Sequence, residues 1–85
     1  MNDERFIDWN TNYVEVILTI KDVLIKKNMS MYKLSLLTGI KYEVVSNYCK
    51  DKIQRIDKDV LTKICYVLNC SLTDLITYVP YNDGK

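Results

Sequence analysis

The sequence has no histidine, and it has only two glycines and one proline among its 85 residues. Histidine is the commonest metal ligand and a frequent general base, so its absence removes the usual means of both kinds of chemistry. The two glycines, Gly39 and Gly84, are too far apart to form the glycine-rich loop that binds phosphate groups. These absences indicate that the protein is not an enzyme and has no cofactor.

Cysteine is also scarce, and the chain contains only Cys49, Cys65 and Cys70. Three cysteines without histidine are too few and too far apart for a tetrahedral zinc site. A nucleophilic cysteine needs an activating base, which the sequence does not offer nearby. Cys65 and Cys70 are therefore expected to be small core residues, one within a helix and one at its end.

The sequence predicts neither a membrane span nor a secretion signal. No apolar run approaches the roughly 18 residues that suggest a span, and the first residues, Met-Asn-Asp-Glu-Arg, are acidic rather than basic. Together with the cysteines, this pattern indicates a cytoplasmic protein with no membrane partner. A chain of 85 residues, 48% hydrophobic and 27% charged, has room for one small globular domain.

Residues 30–48 predict two short helices joined by a turn. Ser30 is a good N-cap, because its hydroxyl can accept a hydrogen bond from an unpaired N–H of the first helical turn. Leu34 and Leu37 are expected on the buried side of this helix. Gly39 lies where a helix ends in the left-handed conformation, which is costly for other residues.

A second helix is expected from Tyr42 to Asp51, with Val45 and Tyr48 on its buried side. The residues expected mostly on its open side are Tyr42, Glu43, Ser46, Asn47 and Lys50. Ser35 of the preceding helix is small, as two helices that cross through so short a turn require.

Five residues of this segment have the spacing of a helix-turn-helix: the small residue at position 35, Gly39, Ile40, Val45 and Tyr48. The segment resembles the Cro and lambda-repressor family, often called the XRE type, over roughly residues 16 to 78. Met31 stands where that family usually has a polar residue such as glutamine, and Ser35 where it usually has alanine or glycine. The resemblance implies an all-α fold, a compact five-helix lambda-repressor-like DNA-binding domain with a central helix-turn-helix.

Residues 13–28 predict the first helix, although Tyr13 to Ile17 could be extended instead. The apolar stripe of this helix comprises Val16, Ile17, Ile20, Val23 and Leu24. A second apolar row beside the stripe consists of Val14, Leu18 and Ile25. This row covers the N-terminal residues or a second subunit, or it remains exposed, and the sequence favours neither of the first two.

Two further helices complete the predicted domain, and no convincing strand is found. Asp57 is expected to cap a helix that runs to Asn69, and Ser71 with Asp74 resembles a capping box that opens a short last helix. The predicted organisation has three parts: an N-terminal arm (1–12), the helix-turn-helix domain (13–78) and a polar C-terminal tail (79–85).

The net charge of +1 does not by itself predict a nucleic-acid partner. The charge is unevenly distributed, however, with −3 over residues 1–25, +5 over residues 26–58 and −1 over residues 59–85. Positive charge thus collects around the predicted helix-turn-helix, as expected of a surface that binds phosphate groups. Without the motif, a solvated lysine surface would be the simpler interpretation.

The resemblance also implies which residues would contact DNA, because the second helix of this motif enters the major groove while the first crosses the backbone. Base contacts are expected from Lys41, Tyr42, Glu43, Ser46 and Asn47. Phosphate contacts are expected from Ser30, Tyr32, Lys33, Lys50, Lys52 and Arg55. Tyr48 is expected to pack inwards, and Glu43 can equally be a favourable acid in a first helical turn.

The sequence therefore predicts a sequence-specific transcriptional regulator, with repression favoured, that binds double-stranded DNA as a homodimer through residues 41–51. The alternative is a helical interaction module, or an antitoxin-like protein, that uses the fold as a scaffold. Such a protein would hold a partner protein through the row of Val14, Leu18 and Ile25. The modest net charge slightly favours this alternative, since the same fold can serve different functions.

Overall fold

The computed structural model of the protein describes residues 14–80, and within this range the chain forms five helices and two strands. In chain order they are β1 (Val14–Leu18), α1 (Ile20–Lys26), α2 (Met31–Thr38), α3 (Tyr42–Cys49), α4 (Lys58–Leu68), α5 (Leu72–Leu75) and β2 (Ile76–Pro80). The five-helix prediction is confirmed. The predicted N-terminal arm and residues 81–85 of the predicted tail lie outside the described residues. No helix between residues 14 and 80 combines the length and the apolar character that a membrane crossing requires.

A two-stranded antiparallel sheet joins the two ends of the described chain. β1 pairs with β2 over five residues, with Val16 opposite Tyr78 and Leu18 opposite Ile76. Both strands are rich in β-branched residues, and β2 also contains Tyr78; such residues pack well on a pleated strand. The expectation that the chain has no convincing strand is therefore wrong for these two segments.

The sheet shortens the first and the last of the predicted helices. α1 begins at Ile20 rather than at residue 13, and the extended alternative is confirmed for residues 14–17. α5 is a single turn that ends at Leu75. β2 then runs to Pro80, so residues 79 and 80 belong to the sheet and not to the predicted polar tail.

Thr19 connects the sheet to the helices at the point where β1 meets α1. Its backbone N–H donates to the Leu75 carbonyl at 2.7 Å, and its hydroxyl donates to the Asp74 carbonyl at 2.9 Å. These two bonds join residues that are more than fifty positions apart in the chain. They hold the start of α1 against the end of α5, and so close the domain.

Each helix contributes at least one fully buried side chain to a single core. These side chains are Ile20 of α1, Leu34 of α2, Val45 of α3, Ile64 and Leu68 of α4, and Leu75 of α5. Complete burial of an aliphatic side chain of this kind stabilises the fold by about 1.5 to 3 kcal/mol. Leu18, the last residue of β1, also belongs to this core, so the sheet and the helices are packed as one unit.

One residue of α2 that was predicted to be buried is exposed. Leu34 is fully buried, but Leu37, which was expected beside it, is 51% exposed. The buried side of α2 includes Ser35 instead. Neighbouring helices decide which side of a short helix is covered, so the spacing of two leucines alone did not determine it.

The predicted helix starts are confirmed by their caps. The Ser30 hydroxyl accepts a hydrogen bond at 3.0 Å from the backbone N–H three residues later, and the Asp57 carboxylate accepts one at 2.8 Å from the N–H two residues later. Ser71 and Asp74 form the capping box, in which the Ser71 N–H donates to the carboxylate at 3.1 Å. These bonds pair N–H groups that a helix start leaves without partners, and so they define where α2, α4 and α5 begin.

The left-handed conformation of Gly39, with φ of 75°, ends α2 as predicted. A methyl group added at Gly39 would meet no neighbouring atom within 4 Å, so a substitution there tests the backbone conformation alone. We expect Gly39→Ala to lower the free energy of unfolding by about 1 to 2 kcal/mol, and Gly39→Asn to lower it less, because asparagine tolerates this conformation better. Urea unfolding of the three proteins measures both differences. Equal losses for alanine and asparagine would contradict the explanation.

Candidate nucleic-acid interface

The helix-turn-helix consists of α2, the turn of residues 39–41 and α3. Thr38, the last residue of α2, stabilises the turn through its hydroxyl, which donates to the Leu34 carbonyl at 2.8 Å and accepts from the Ile40 N–H at 3.2 Å. The sequence analysis located the turn but gave Thr38 no role. A threonine directly before a helix-ending glycine is the signal that could have indicated one, since its hydroxyl readily bonds to nearby backbone groups.

Ser35 provides the small buried residue that a steep crossing of α2 and α3 needs. It is 7% exposed, and its hydroxyl donates to the Tyr32 carbonyl within the same helix at 2.8 Å. The polar group is therefore satisfied without a partner on α3. A buried side chain of this size lets the two helices approach each other closely.

The buried side of α3 holds the helix against the core. It comprises Val45, Ser46, Tyr48 and Cys49, which together span about 160° of the helix circumference. Ser46 was expected on the open side as a base-contacting residue, and the structure corrects this prediction, because Ser46 is only 9% exposed. Ser46 lies at the edge of the buried side of α3. The prediction failed because the core covers a wider part of the helix than the sequence suggested.

The open side of α3 presents a line of polar residues. Glu43, Asn47 and Lys50 follow one another at spacings of four and three, within about 60° of the helix circumference. Glu43 and Lys50 are exposed and Asn47 is half-buried. Lys41, which precedes the helix, is exposed, and the Tyr42 side chain is 47% exposed. The structure thus leaves four of the five predicted base-contacting residues at least partly accessible, with Lys41 just before α3 and the other three on the helix.

Tyr48 fastens α3 to the segment that follows it. The side chain is 4% exposed, and its hydroxyl accepts a hydrogen bond from the Asp57 backbone N–H at 2.8 Å. Asp57 is itself the N-cap of α4. One buried side chain therefore links α3 to the start of α4, and the prediction that Tyr48 packs inwards is confirmed.

The predicted phosphate-contacting residues form two groups, both exposed. The first group lies at the start of α2 and comprises Ser30, Tyr32 and Lys33. The second follows the end of α3 and comprises Lys50, Lys52 and Arg55. The Ser30 hydroxyl already accepts a hydrogen bond as the cap of α2. In a phosphate contact, the same hydroxyl would also have to donate to the phosphate.

The basic residues of both groups keep their charge available. Among the described residues, the one ion pair joins Lys63 to Asp59 on α4 at 3.0 Å. The first turn of α2 contains no acidic residue, so its partial positive charge is not offset there. Both features favour the approach of an anion to this side of the molecule.

The predicted dimer face does not form one exposed surface. Leu18 is 8% exposed and belongs to the core, whereas Ile25 on α1 is 69% exposed. Val14 lies on β1 rather than on a helix. The row was predicted from helical periodicity, and it is lost because residues 14–18 are extended. Ile25 stays accessible to a partner, whereas Leu18 does not.

Cysteine thiols are potential metal ligands when other donor groups lie beside them. Between residues 14 and 80, no three side chains of cysteine, aspartate or glutamate come together as a metal ion would need. Cys49 is buried on α3, and burial raises the pKa of its thiol to about 11, although the charge of Lys21 opposes the shift. Cys65 and Cys70 are half-buried at the end of α4 and just after it, so the expectation that they are core residues holds only in part.

Comparisons with known proteins agree with this geometry. A family model described as the Cro/C1-type HTH DNA-binding domain matches residues 19–81, which include all five helices. A candidate DNA-binding protein from Bacteroides fragilis is 28% identical with a TM-score of 0.66, and the match covers 74% of this chain and 100% of that chain. The transcriptional regulator VanUg is 21% identical with a TM-score of 0.65, covering 94% of this chain and 100% of that chain, and shows a similar fold. No curated protein matches the chain.

The hydrogen bond between Tyr48 and Asp57 gives a test of how α3 is held. Tyr48→Phe removes the hydroxyl and leaves the Asp57 N–H without its partner, so we expect the free energy of unfolding to fall by about 1 to 2 kcal/mol. Tyr66→Phe is the matched control, because the Tyr66 side chain is 85% exposed. Removal of its hydroxyl should change the free energy of unfolding by less than about 0.5 kcal/mol. Urea unfolding measures both, and similar losses in the two variants would contradict the role given to Tyr48.

Proposed function

The chain belongs to the Cro/C1-type helix-turn-helix family, and we propose that it is a sequence-specific DNA-binding regulator that reads the major groove with residues 41–51. The observation that carries this proposal is the line of Glu43, Asn47 and Lys50 on the open side of α3. The opposite side of the same helix is buried, so the line faces outwards in a fixed orientation. A major groove admits an α-helix presented in this way.

The accessible side chains of α3 and of Lys41, which precedes it, are suited to different base edges. Asn47 can donate to and accept from adenine at the same time, and Glu43 can accept from the amino group of cytosine. Lys41 can reach guanine or a phosphate, and Tyr42 can pack on a thymine methyl group or donate to a phosphate. Ser46 has no place in this proposal, because its hydroxyl lies on the buried side of α3.

The phosphate contacts would come from the two exposed groups at the start of α2 and after α3. Such contacts set the register of a protein on DNA and contribute most of its salt-dependent affinity. Residues 26–58, which contain both groups, carry a net charge of +5 while the chain as a whole carries +1. The charge distribution therefore supports a DNA-binding side on an otherwise acidic protein.

We propose that two copies bind a two-fold operator in the cytoplasm and repress transcription by occupying a promoter. One domain of this size presents one recognition helix and covers one half-site. Linking two half-sites raises the affinity without new kinds of contact, and a two-fold dimer places its recognition helices one helical turn of DNA apart. Repression of this kind needs no contact beyond the DNA itself.

Selection of bound sequences from a random duplex pool, at two salt concentrations, tests base recognition. We expect an enriched inverted repeat whose half-sites lie about 10 base pairs apart. Asn47→Ala should relax the preference at one position in each half-site and cost about 1 to 3 kcal/mol of binding free energy there.

Thr62→Ala is the control for this selection, because Thr62 is exposed on α4 and is not among the residues proposed to contact DNA. It should enrich the same repeat as the wild-type protein. If neither salt concentration gives any enrichment, the proposal of an operator fails. A pull-down for a protein partner would then test the alternative that the fold is an interaction scaffold.

The salt dependence of binding tests the phosphate contacts separately from the base contacts. We expect Lys50→Ala to weaken binding to all sequences alike, and to reduce the slope of log K against log salt by about 1. Lys63→Ala removes the same charge from α4, where Lys63 pairs with Asp59, and should leave the slope unchanged. Fluorescence anisotropy with a labelled duplex measures both slopes. Equal slopes for the two variants would refute a phosphate contact by Lys50.

A further inference from the structure

The end of α4 brings two cysteines together through a specific backbone arrangement. Asn69 takes the left-handed conformation, with φ of 51° and ψ of 50°. The Cys70 N–H donates to the Cys65 carbonyl at 3.2 Å, and the Asn69 N–H donates to the Tyr66 carbonyl at 3.2 Å. These two bonds define a Schellman motif, in which the side chains corresponding to Cys65 and Cys70 are usually in contact.

The backbone hydrogen bond limits the distance between the two cysteines. Its atoms are attached to the Cα atoms of Cys65 and Cys70 through short covalent paths, so these Cα atoms lie no more than roughly 7 Å apart. Most disulfides have Cα atoms about 4.4 to 6.8 Å apart. A disulfide between the two residues therefore requires little or no backbone movement.

Both thiols are also accessible from the same side. Cys65 and Cys70 are half-buried and line one cleft, together with Leu37 and Thr62. Burial raises the pKa of the Cys70 thiol, and the neighbouring Cys65 and Asp74 raise it further. An effect of one thiol on the other agrees with their being close neighbours.

We propose that Cys65 and Cys70 form a dithiol that low-molecular-weight disulfides oxidise to a disulfide within one chain. This site is separate from the residues proposed to contact DNA. Cys49 is not a competing partner, because it is buried on α3 and the pKa of its thiol is about 11. Only the pair at the end of α4 combines proximity with access.

The reaction proceeds by two thiol–disulfide exchanges. The thiolate of one cysteine attacks a sulfur of glutathione disulfide, whose S–S bond breaks and releases one glutathione thiolate. The thiolate of the second cysteine then attacks the protein sulfur of the mixed disulfide and releases the other glutathione. The two protein thiols lose two electrons, the glutathione disulfide gains them, and the two protons pass to the released glutathione thiolates.

The test uses the full chain, reduced and free of oxygen, equilibrated with mixtures of reduced and oxidised glutathione. After acid quenching, intact mass and peptide mapping identify the product. We expect loss of two hydrogen atoms, a fall from three titratable thiols to one, and a Cys65–Cys70 link. Because the second step is intramolecular, with an effective concentration on the order of millimolar or higher, the mixed disulfide should not accumulate.

Two control variants test whether the positions of the thiols, rather than their number, decide disulfide formation. Cys49→Ala should form the same disulfide. The double variant Cys65→Ser with Tyr66→Cys keeps two thiols near the helix end but places one on the exposed position of Tyr66. We expect the equilibrium constant for internal disulfide formation in this double variant to be at least about tenfold lower than in the wild-type protein. Glutathione adducts should form instead of the internal disulfide.

A second measurement does not depend on the folding of any variant. In denaturant the helix end is lost, so the wild-type equilibrium constant for the Cys65–Cys70 disulfide should fall below its value in the folded protein. The proposal is overturned if the folded wild-type protein yields glutathione adducts or cross-linked chains instead of the internal disulfide. It is also overturned if the equilibrium constant is the same in the double variant or in denaturant.

Discussion

The orientation of α3 depends on the burial of its inner side, and above all on Val45 and Tyr48. Val45 is fully buried in the core to which all five helices contribute. Tyr48 adds a hydrogen bond to the Asp57 backbone, so the helix is attached both to the core and to the start of α4. A recognition helix needs this kind of support, because base contacts depend on rigid placement of the side chains that make them.

The remaining elements support α3 from a distance. Thr38 and Gly39 stabilise the turn that connects α2 to α3. The hydrogen bond from the Thr19 N–H to the Leu75 carbonyl joins the start of α1 to the end of α5. The open side of α3 is polar, and the exposed groups before and after it in the chain contain Lys33 and, beyond the helix, Lys50, Lys52 and Arg55. The arrangement separates two tasks along one short helix: its inner residues give stability, and its outer residues remain free for a partner.

Features that depend on neighbouring residues were predictable from the sequence, whereas features that depend on distant ones were not. The caps at Ser30, Asp57 and Ser71 and the left-handed Gly39 follow from local backbone chemistry, and the structure confirms them. The sheet pairs residues 14–18 with residues 76–80. The sequence indicated an extended conformation only as an alternative for the first segment and not for the second, because strand formation depends on a distant partner. Leu37 and Ser46 were assigned to the wrong sides because the width of the buried arc is set by tertiary packing. Base and phosphate contacts remain predictions, since they concern a molecule outside the chain.

The most direct test of the account is an NMR titration of the isotope-labelled full chain with the duplex enriched by selection. If α3 enters the major groove, the largest chemical-shift changes will fall on the amides of residues 41–47, with smaller ones at the start of α2 and after α3. The outer side of α4, around Lys63 and Tyr66, should change little. The largest changes on α4 or on the sheet would contradict the assignment of α3 as the recognition helix.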